Sequence, residues 1–168
     1  KEKVNLLIVS PNQIHTISSV IDKAYDAGIP VILFDRKTDS KKYTAFIGAD
    51  NYEAGHEMGL FIAQQLGGKG SVVEIGGLKG SSPAIERDRG FTEALKAYPD
   101  IKIVGRYYAD WQEERGAAVM DSFLAQGVKI DYVFGQNDRI AAGARKLAMQ
   151  RREKAIKFVG IDALPVAG

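Results

Sequence analysis

Short apolar runs alternate along the chain with stretches in which apolar residues recur every three or four positions. Residues 13–27 carry such a recurrence, which is the apolar stripe of an amphipathic helix, and Gly28 predicts the end of that helix. Residues 29–34 form a continuous apolar run that is typical of a buried parallel strand. Pro30 lies near the start of this run, where a strand tolerates the loss of an N–H group.

The same alternation continues to the end of the chain and predicts a series of βαβ units with parallel strands. The predicted strands are residues 4–9, 29–34, 45–48, 71–75, 101–107, 132–134 and 156–161. The predicted helices are residues 13–27, 52–66, 84–97, 113–125 and 139–149. We therefore predict an α/β protein with doubly wound parallel sheets. A sheet of this kind is expected to end on a helix, whereas the chain stops seven residues after its last predicted strand, so we expect it to be incomplete.

The amino-acid composition limits which kinds of partner the protein is expected to bind. The chain has 168 residues, of which 45% are hydrophobic and 26% charged, as in ordinary globular proteins. Its 23 Lys and Arg against 21 Asp and Glu leave a net charge of +2, too balanced for a surface built to bind nucleic acid. The apolar runs are far shorter than the roughly 20 residues of a membrane span, so we expect no membrane insertion. The sequence contains no cysteine, which is compatible with either the cytosol or the periplasm.

One local charge cluster departs from this balance. Six basic residues and a single acidic one, Glu153, lie at the end of the last predicted helix or just after it. The helix dipole favours cations at this end of a helix. The six basic residues are Arg145, Lys146, Arg151, Arg152, Lys154 and Lys157. We interpret them as a solvated helix end, with a docking face for a partner protein as the alternative.

The sequence does not match the known motifs for nucleotide cofactors, metal sites or a catalytic serine. Residues 67–71 precede a predicted strand, and residues 76–80 lack the spacing of a dinucleotide fingerprint, so we predict no nucleotide cofactor. His56 has no second histidine at metal-binding spacing, and His15 stands alone, so we predict no metal site. No histidine follows residue 56, which excludes a serine triad in the order found in α/β-hydrolases.

Polar groups recur just after the predicted strands. In an open parallel sheet such positions meet at one crevice, where ligands bind. Carboxylates, guanidinium groups and amides there can bond sugar hydroxyls, and an indole ring can lie on the apolar face of a sugar ring. These groups are Ser10, Asp35, Arg36, Arg87, Asp110, Trp111, Asn137, Asp138 and Asp162.

Two other interpretations of these residues exist. Each polar residue alone could be a turn or helix cap, and Trp111 could be part of the core. The crevice carboxylates Asp35, Asp110, Asp138 and Asp162 could also serve a glycoside hydrolase. Arg36 and Arg87 argue against this second possibility, because nearby guanidinium groups keep carboxylates ionised.

At these residues the sequence resembles the type I periplasmic sugar-binding proteins, and most closely the ribose-binding members. The resemblance extends along essentially the whole chain. The matching segments are residues 30–36, 48–51 with Gly55, 86–91, 98–103, 109–111, 136–138 with 142–144, and 159–162.

The resemblance implies a two-lobed fold that is incomplete at both ends, with a partial N-terminal lobe at 1–48 and most of the C-terminal lobe at 49–168. It implies that a monosaccharide, a pentose or hexose, binds between the lobes without catalysis or a cofactor. Ser10 and Trp111 stand where ribose binders usually carry asparagine and phenylalanine, so another sugar is possible. The implied ligand-binding residues are Ser10, Asp35, Arg36, Arg87, Trp111, Asn137 and Asp162.

Such a domain has three known settings, which differ in partner and location. It can deliver sugar to an ABC transporter, or act as the periplasmic sensor of a membrane-embedded histidine kinase, which would then be attached in the full-length protein. It can also be the effector domain of a LacI-type repressor, which alone would be cytoplasmic and bind nucleic acid. Residues 160–165 are more similar to hybrid two-component sensors, so we expect a periplasmic location, with the signal peptide or anchor outside this chain.

Overall fold

A computed structural model describes residues 4–165 of the chain. Within these residues, seven strands alternate with five helices in the predicted order. The strands are β1 Leu7–Val9, β2 Val31–Phe34, β3 Ala45–Ile47, β4 Lys69–Gly76, β5 Asp100–Tyr108, β6 Tyr132–Gly135 and β7 Lys157–Val159. The helices are α1 Ser18–Asp26, α2 Asn51–Gln65, α3 Ser82–Leu95, α4 Glu113–Ala125 and α5 Asp138–Gln150.

The strands form two separate sheets in which every pair is parallel. The first sheet has the order β1-β2-β3, and the second has the order β5-β4-β6-β7. The predicted α/β class with parallel sheets is therefore confirmed. The predicted lobe boundary between residues 48 and 49 falls between the two sheets and stays a prediction.

Helix α1 begins five residues later than its apolar periodicity predicts, at Ser18. The preceding residues are held by contacts with the loop that follows β4 of the second sheet. The Ile14 backbone N–H donates to the Gly80 carbonyl oxygen at 2.9 Å, and the Gln13 side chain donates to the Lys79 carbonyl oxygen at 3.0 Å. These bonds fix residues 13 and 14 against the loop after β4, outside the regular helix.

The second sheet has a layer of helices on each face. Helices α2 and α3 cover one face, where Phe91 and Phe134 pack with ring centres 4.8 Å apart. Helices α4 and α5 cover the other face around Met120 and Ile140, both fully buried. In the first sheet, α1 packs Ile21 onto β2.

Glycines bring the paired helices unusually close together. A Cβ atom at Gly55 on α2 would lie 2.1 Å from the Arg87 carbonyl oxygen, and one at Gly90 on α3 would lie 2.0 Å from the Tyr52 carbonyl oxygen. The α4 and α5 pair repeats this arrangement with Gly116 and Gly143. The approach of α2 to α3 matters for function because it fixes the backbone of Arg87.

Within residues 4–165, we find no helix of the length and apolarity that crossing a membrane requires.

Candidate functional site

Parallel strands direct their carboxyl ends to the same side of each sheet, and the predicted site residues lie at those ends. Asp35 and Arg36 follow β2, Trp111 follows β5, Asn137 follows β6 and Asp162 follows β7. The remaining two predicted residues are Ser10, directly after β1, and Arg87, on α3 after β4.

Several of these strand-end residues adopt a left-handed backbone conformation that side chains other than glycine rarely take. The φ angle is 64° at Asp35, 66° at Trp111 and 109° at Asp162. Such conformations cost free energy and cluster at ligand sites and tight turns. They turn the backbone sharply where each strand ends.

Arg87 is the centre of the site, and its side chain is only 11% exposed. Its Nε donates to Asn51 Oδ1 at 2.9 Å, and its Nη1 donates to the Gln136 carbonyl oxygen. Its Nη2 lies 3.5 Å from Asp162 Oδ1. Burial lowers the pKa of the Arg87 guanidinium, whereas neighbouring carboxylates, that of Asp162 foremost, raise it. The guanidinium is thus a cation fixed by three partners, of which one is a carboxylate.

Trp111 lies close to two cations. The guanidinium carbon of Arg36 is 6.0 Å from the centre of the indole ring, and that of Arg87 is 5.7 Å from it. The six-membered part of the ring packs on Gly77, where a Cβ atom would lie 2.1 Å from the indole carbons. The indole N–H is buried and has no hydrogen-bond acceptor among the described residues.

Asn137 has a structural role as well as a possible ligand-binding one. It caps α5, because its Oδ1 accepts a hydrogen bond from the Ile140 backbone N–H at 3.0 Å. Its Nδ2 donates to the Trp111 carbonyl oxygen at 3.4 Å. Its oxygen is thus already engaged, and Nδ2 is the atom with donor capacity left for a ligand.

Asp35 and Arg36 form the part of the site contributed by the first sheet. Arg36 Nε lies 3.6 Å from Asp35 Oδ2, and Arg36 Nη1 donates to Asn12 Oδ1 at 3.0 Å. The Asp35 side chain is 60% exposed and free to accept from hydroxyl groups. Through Arg36 and Trp111 this pair is joined to Arg87.

Ser10 lies directly after β1, beside the end of β2 that leads into Asp35. It is exposed at the end of β1, and no side-chain hydrogen bond joins it to the other six within the part of the chain that the structure describes. Direct contacts therefore join Asp35, Arg36, Arg87, Trp111, Asn137 and Asp162, whereas the role of Ser10 in the site stays a prediction.

Three further residues support the site and are missed by the sequence reasoning. Asn51 and Gln136 hold Arg87, and Asn12 holds Arg36. Asn51 and Gln136 are 3% and 1% exposed, which is rare for amides unless they are fully hydrogen-bonded. The sequence did contain one indication of their importance, because Asn51 and Gln136 lie in residues 48–51 and 136–138, two segments that carry the family resemblance.

Two direct contacts of Lys37 add to those of Gln13 and Ile14 in linking the first sheet to the second. The Lys37 backbone N–H donates to Ser82 Oγ at 2.7 Å, and its Nζ lies 2.8 Å from Glu86 Oε1. The strand ends of the two sheets consequently face each other across the site.

The carboxylates around the site are each engaged by a partner. Asp110 pairs with Arg115, and Asp138 Oδ2 accepts from the Leu164 backbone N–H at 2.6 Å. Burial raises the pKa of Asp162, and Arg87 opposes that rise. This arrangement suits hydrogen bonding to hydroxyls better than the proton transfer that a glycoside hydrolase needs.

Two other features lie outside this cluster. A cavity of about 910 Å³ runs along α5 and β7, and none of the seven predicted site residues lines it. Glu53, His56 and Glu57 bring potential metal-binding atoms within 4.8 Å of one another on α2, where both glutamates are exposed. Exposed acidic helix faces commonly have this geometry, and we assign no metal to them.

Comparison with known proteins identifies the family. Residues 1–167 match the periplasmic binding protein domain. The chain is 30% identical over 160 residues to the ribose import binding protein RbsB of Escherichia coli, covering 95% of this chain and 54% of that protein. It is 36% identical over 172 residues to the galactofuranose-binding protein YtfQ of the same organism, covering 96% of this chain and 54% of that protein.

A solved structure is more similar still. The fructose-binding periplasmic domain of the hybrid two-component system BT1754 is 52% identical, with a TM-score of 0.93, and the match covers 96% of this chain and 54% of that one. This chain belongs to the periplasmic binding protein family, which consists of solute-binding and sensor domains rather than enzymes. Its fold corresponds to part of their two-lobed architecture, because the chain spans about half the length of the curated relatives it matches.

Proposed function

We propose that the protein containing this chain binds a monosaccharide reversibly, without converting it, at the cluster of six residues described above. The observation that carries this proposal is the buried Arg87 guanidinium, fixed by Asn51, Gln136 and Asp162 beside the Trp111 ring. A fixed cation, exposed carboxylates and an indole together match a sugar, which presents hydroxyls at its edge and C–H groups on its faces.

The first candidate ligand is fructose. The relative that binds fructose is 52% identical to this chain. Other similar structures hold β-D-fucofuranose and α- and β-L-arabinofuranose, so furanose forms of sugars are the next candidates. The similar structures with myo-inositol extend the panel to cyclic polyols.

We further propose that the domain is the periplasmic sensor of a membrane-embedded histidine kinase, with lobes divided between residues 48 and 49. The 52% identity to the periplasmic domain of a hybrid two-component system supports this setting. Delivery to an ABC transporter is the second candidate, supported by the import-binding relatives at about 30% identity. Sugar-dependent phosphorylation of the full-length protein in membranes separates the two, because a transport binder has no kinase to respond.

A thermal-shift screen of the full-length protein tests the binding proposal. A ligand that binds only the folded state stabilises it by RT ln(1 + [L]/Kd), about 2.7 kcal/mol at a hundredfold excess over Kd. We expect fructose or a furanose-forming sugar to raise the melting temperature, and non-sugar metabolites of similar size to leave it unchanged. No shift with any sugar or polyol would contradict the proposal.

Arg36→Ala is expected to weaken sugar binding by about 1.5 to 3 kcal/mol, because it removes a charged donor beside Trp111. Asp35→Asn should have an effect of the same order, and asparagine tolerates the φ of 64° at that position. Titration calorimetry measures both, with Arg151→Ala as a matched control, since Arg151 pairs with Asp121 on the α4 and α5 surface. Unchanged affinity in both site variants would mean that the sugar binds elsewhere.

A further inference from the structure

A second buried polar cluster lies directly behind the sugar site. Its centre is Glu74 on β4, which is only 2% exposed. Glu74 Oε1 accepts a hydrogen bond from Gln136 Nε2 at 2.9 Å, and Glu74 Oε2 accepts one from Arg106 Nε at 2.9 Å. Asp88 on α3 also faces this group, and Tyr107 and Tyr108 on β5 line the small space beside it. None of these groups is among the proposed sugar-binding residues.

Gln136 connects this cluster to the sugar site through three different groups. Its backbone carbonyl accepts from Arg87 Nη1. Its Oε1 accepts from the Gly77 backbone N–H at 2.9 Å, and Gly77 is the residue on which the Trp111 ring packs. Its Nε2 also donates to the Ala84 carbonyl oxygen at 3.1 Å, in the first turn of the helix that carries Arg87. One side chain thus fixes both Arg87 and the support of Trp111.

The donors and acceptors around Glu74 are compatible with a protonated Glu74 carboxyl group. Arg106 Nε carries a single hydrogen, which is donated to Glu74. Asp88 Oδ1 lies 3.0 Å from the same nitrogen, yet it is buried and accepts no hydrogen bond among the described residues. A proton held between the two carboxyl groups would satisfy Asp88. In agreement with this geometry, burial and the Asp88 charge raise the pKa of Glu74 to about 7.

We propose that Gln136 is a positioning residue for sugar binding and that the ionisation of Glu74 controls how firmly Gln136 is held. The ionised carboxylate accepts a charge-assisted hydrogen bond from Gln136, whereas the neutral acid accepts a weaker one and donates its proton towards Asp88. Sugar affinity therefore increases as the pH rises through the titration of Glu74. This inference rests on the proposed function, because it concerns the same site.

The test is the pH dependence of sugar affinity in the full-length protein. Calorimetric titrations between pH 5.5 and 8.5, with fructose or the sugar identified by the thermal-shift screen, compare the wild type with Glu74→Gln. Charge-assisted bonds are roughly twice as strong as neutral ones, so we expect the wild-type Kd to be about 3 to 10 times higher at pH 5.5 than at pH 8.5. Glu74→Gln, which keeps an acceptor for Gln136 but cannot titrate, should lose most of that dependence.

Two further variants distinguish positioning from stability. Glu93→Gln makes the same change at an exposed α3 position that pairs with Lys96, and it should retain the wild-type profile. Gln136→Met keeps the side-chain length but removes both polar groups, and it should raise Kd at least about tenfold at pH 8.5 in protein that is still folded. Melting temperatures measured alongside report stability separately from affinity.

The outcomes separate this inference from the function on which it rests. Sugar binding with the same pH profile in wild type and Glu74→Gln would overturn the inference and leave the proposed function intact. A wild-type Kd in folded Gln136→Met would do the same. If the wild type binds no sugar or polyol at any pH, the proposed function fails, and this inference fails with it.

Discussion

Arg87→Ala is expected to abolish measurable sugar binding, with a loss of at least about 3 kcal/mol, or roughly a hundredfold in Kd. The substitution removes the buried cation at the centre of the site and leaves the oxygens of Asn51, Gln136 and Asp162 without their donor. Leaving these buried polar groups unpaired would in addition lower the stability of the fold.

Titration calorimetry of the full-length protein measures this loss, and circular dichroism checks that the variant is folded. Arg87→Lys separates charge from geometry, because an ammonium group cannot make the three divergent bonds of the guanidinium and should restore little of the affinity. Arg151→Ala is the surface control. Wild-type affinity in folded Arg87→Ala would show that this cluster is not the binding site.

Gly55→Ala and Gly90→Ala are expected to destabilise the fold, each by about 2 to 4 kcal/mol. In an uncrowded helix the same substitution is stabilising by roughly 0.5 to 1 kcal/mol, so the two cases differ in sign. Here each new methyl group would lie 2.0 to 2.1 Å from a carbonyl oxygen of the facing helix. The helices α2 and α3 would have to separate, which would also displace Arg87.

Equilibrium unfolding in denaturant tests this expectation, with Gly127→Ala as control. Gly127 has open space around it and a φ of 66°, so alanine there incurs only the left-handed backbone cost of about 1 to 2 kcal/mol. The helical glycine variants should therefore be less stable than the Gly127 variant. If Gly55→Ala or Gly90→Ala were as stable as the wild type, α2 and α3 could not pack as closely as the structure shows.

The order of the elements could be predicted because the apolar periodicity agrees with the packing. Residues 113–125 were predicted as a helix and are one, with Met120 and Phe123 buried as the stripe requires. The start of α1 could not be predicted in the same way. The bonds of Gln13 and Ile14 to residues 79 and 80 depend on how the two sheets meet, which local pattern does not encode.

The candidate site was predictable as a set of strand ends but not as a set of contacts. Topology alone places Asp35, Trp111 and Asp162 at the carboxyl ends of strands, and it places Ser10 at such an end too, although no side-chain hydrogen bond joins Ser10 to the other six within residues 4–165. The end of a strand fixes where the next residue lies, whereas the direction of that residue's side chain depends on the turn that follows.

The supporting residues were harder to find because their partners are distant in sequence. Gln136 and Glu74 are 62 positions apart, and Arg87 and Asn51 are 36 apart. Buried amides give no periodic signal, and Asn137 illustrates the ambiguity, since one side chain both caps α5 and donates towards Trp111. Only the three-dimensional structure distinguishes a capping role from a ligand-binding role.

The most direct test of sugar binding at this cluster is a crystal structure of the full-length protein, or its intact periplasmic domain, with the sugar selected by the thermal-shift screen. We expect a single sugar beside Trp111, with its hydroxyls within about 3.2 Å of Arg87, Asp35 and Asp162. Sugar density elsewhere, for example in the cavity along α5 and β7, with these three side chains in no contact with it, would contradict the assignment of the site.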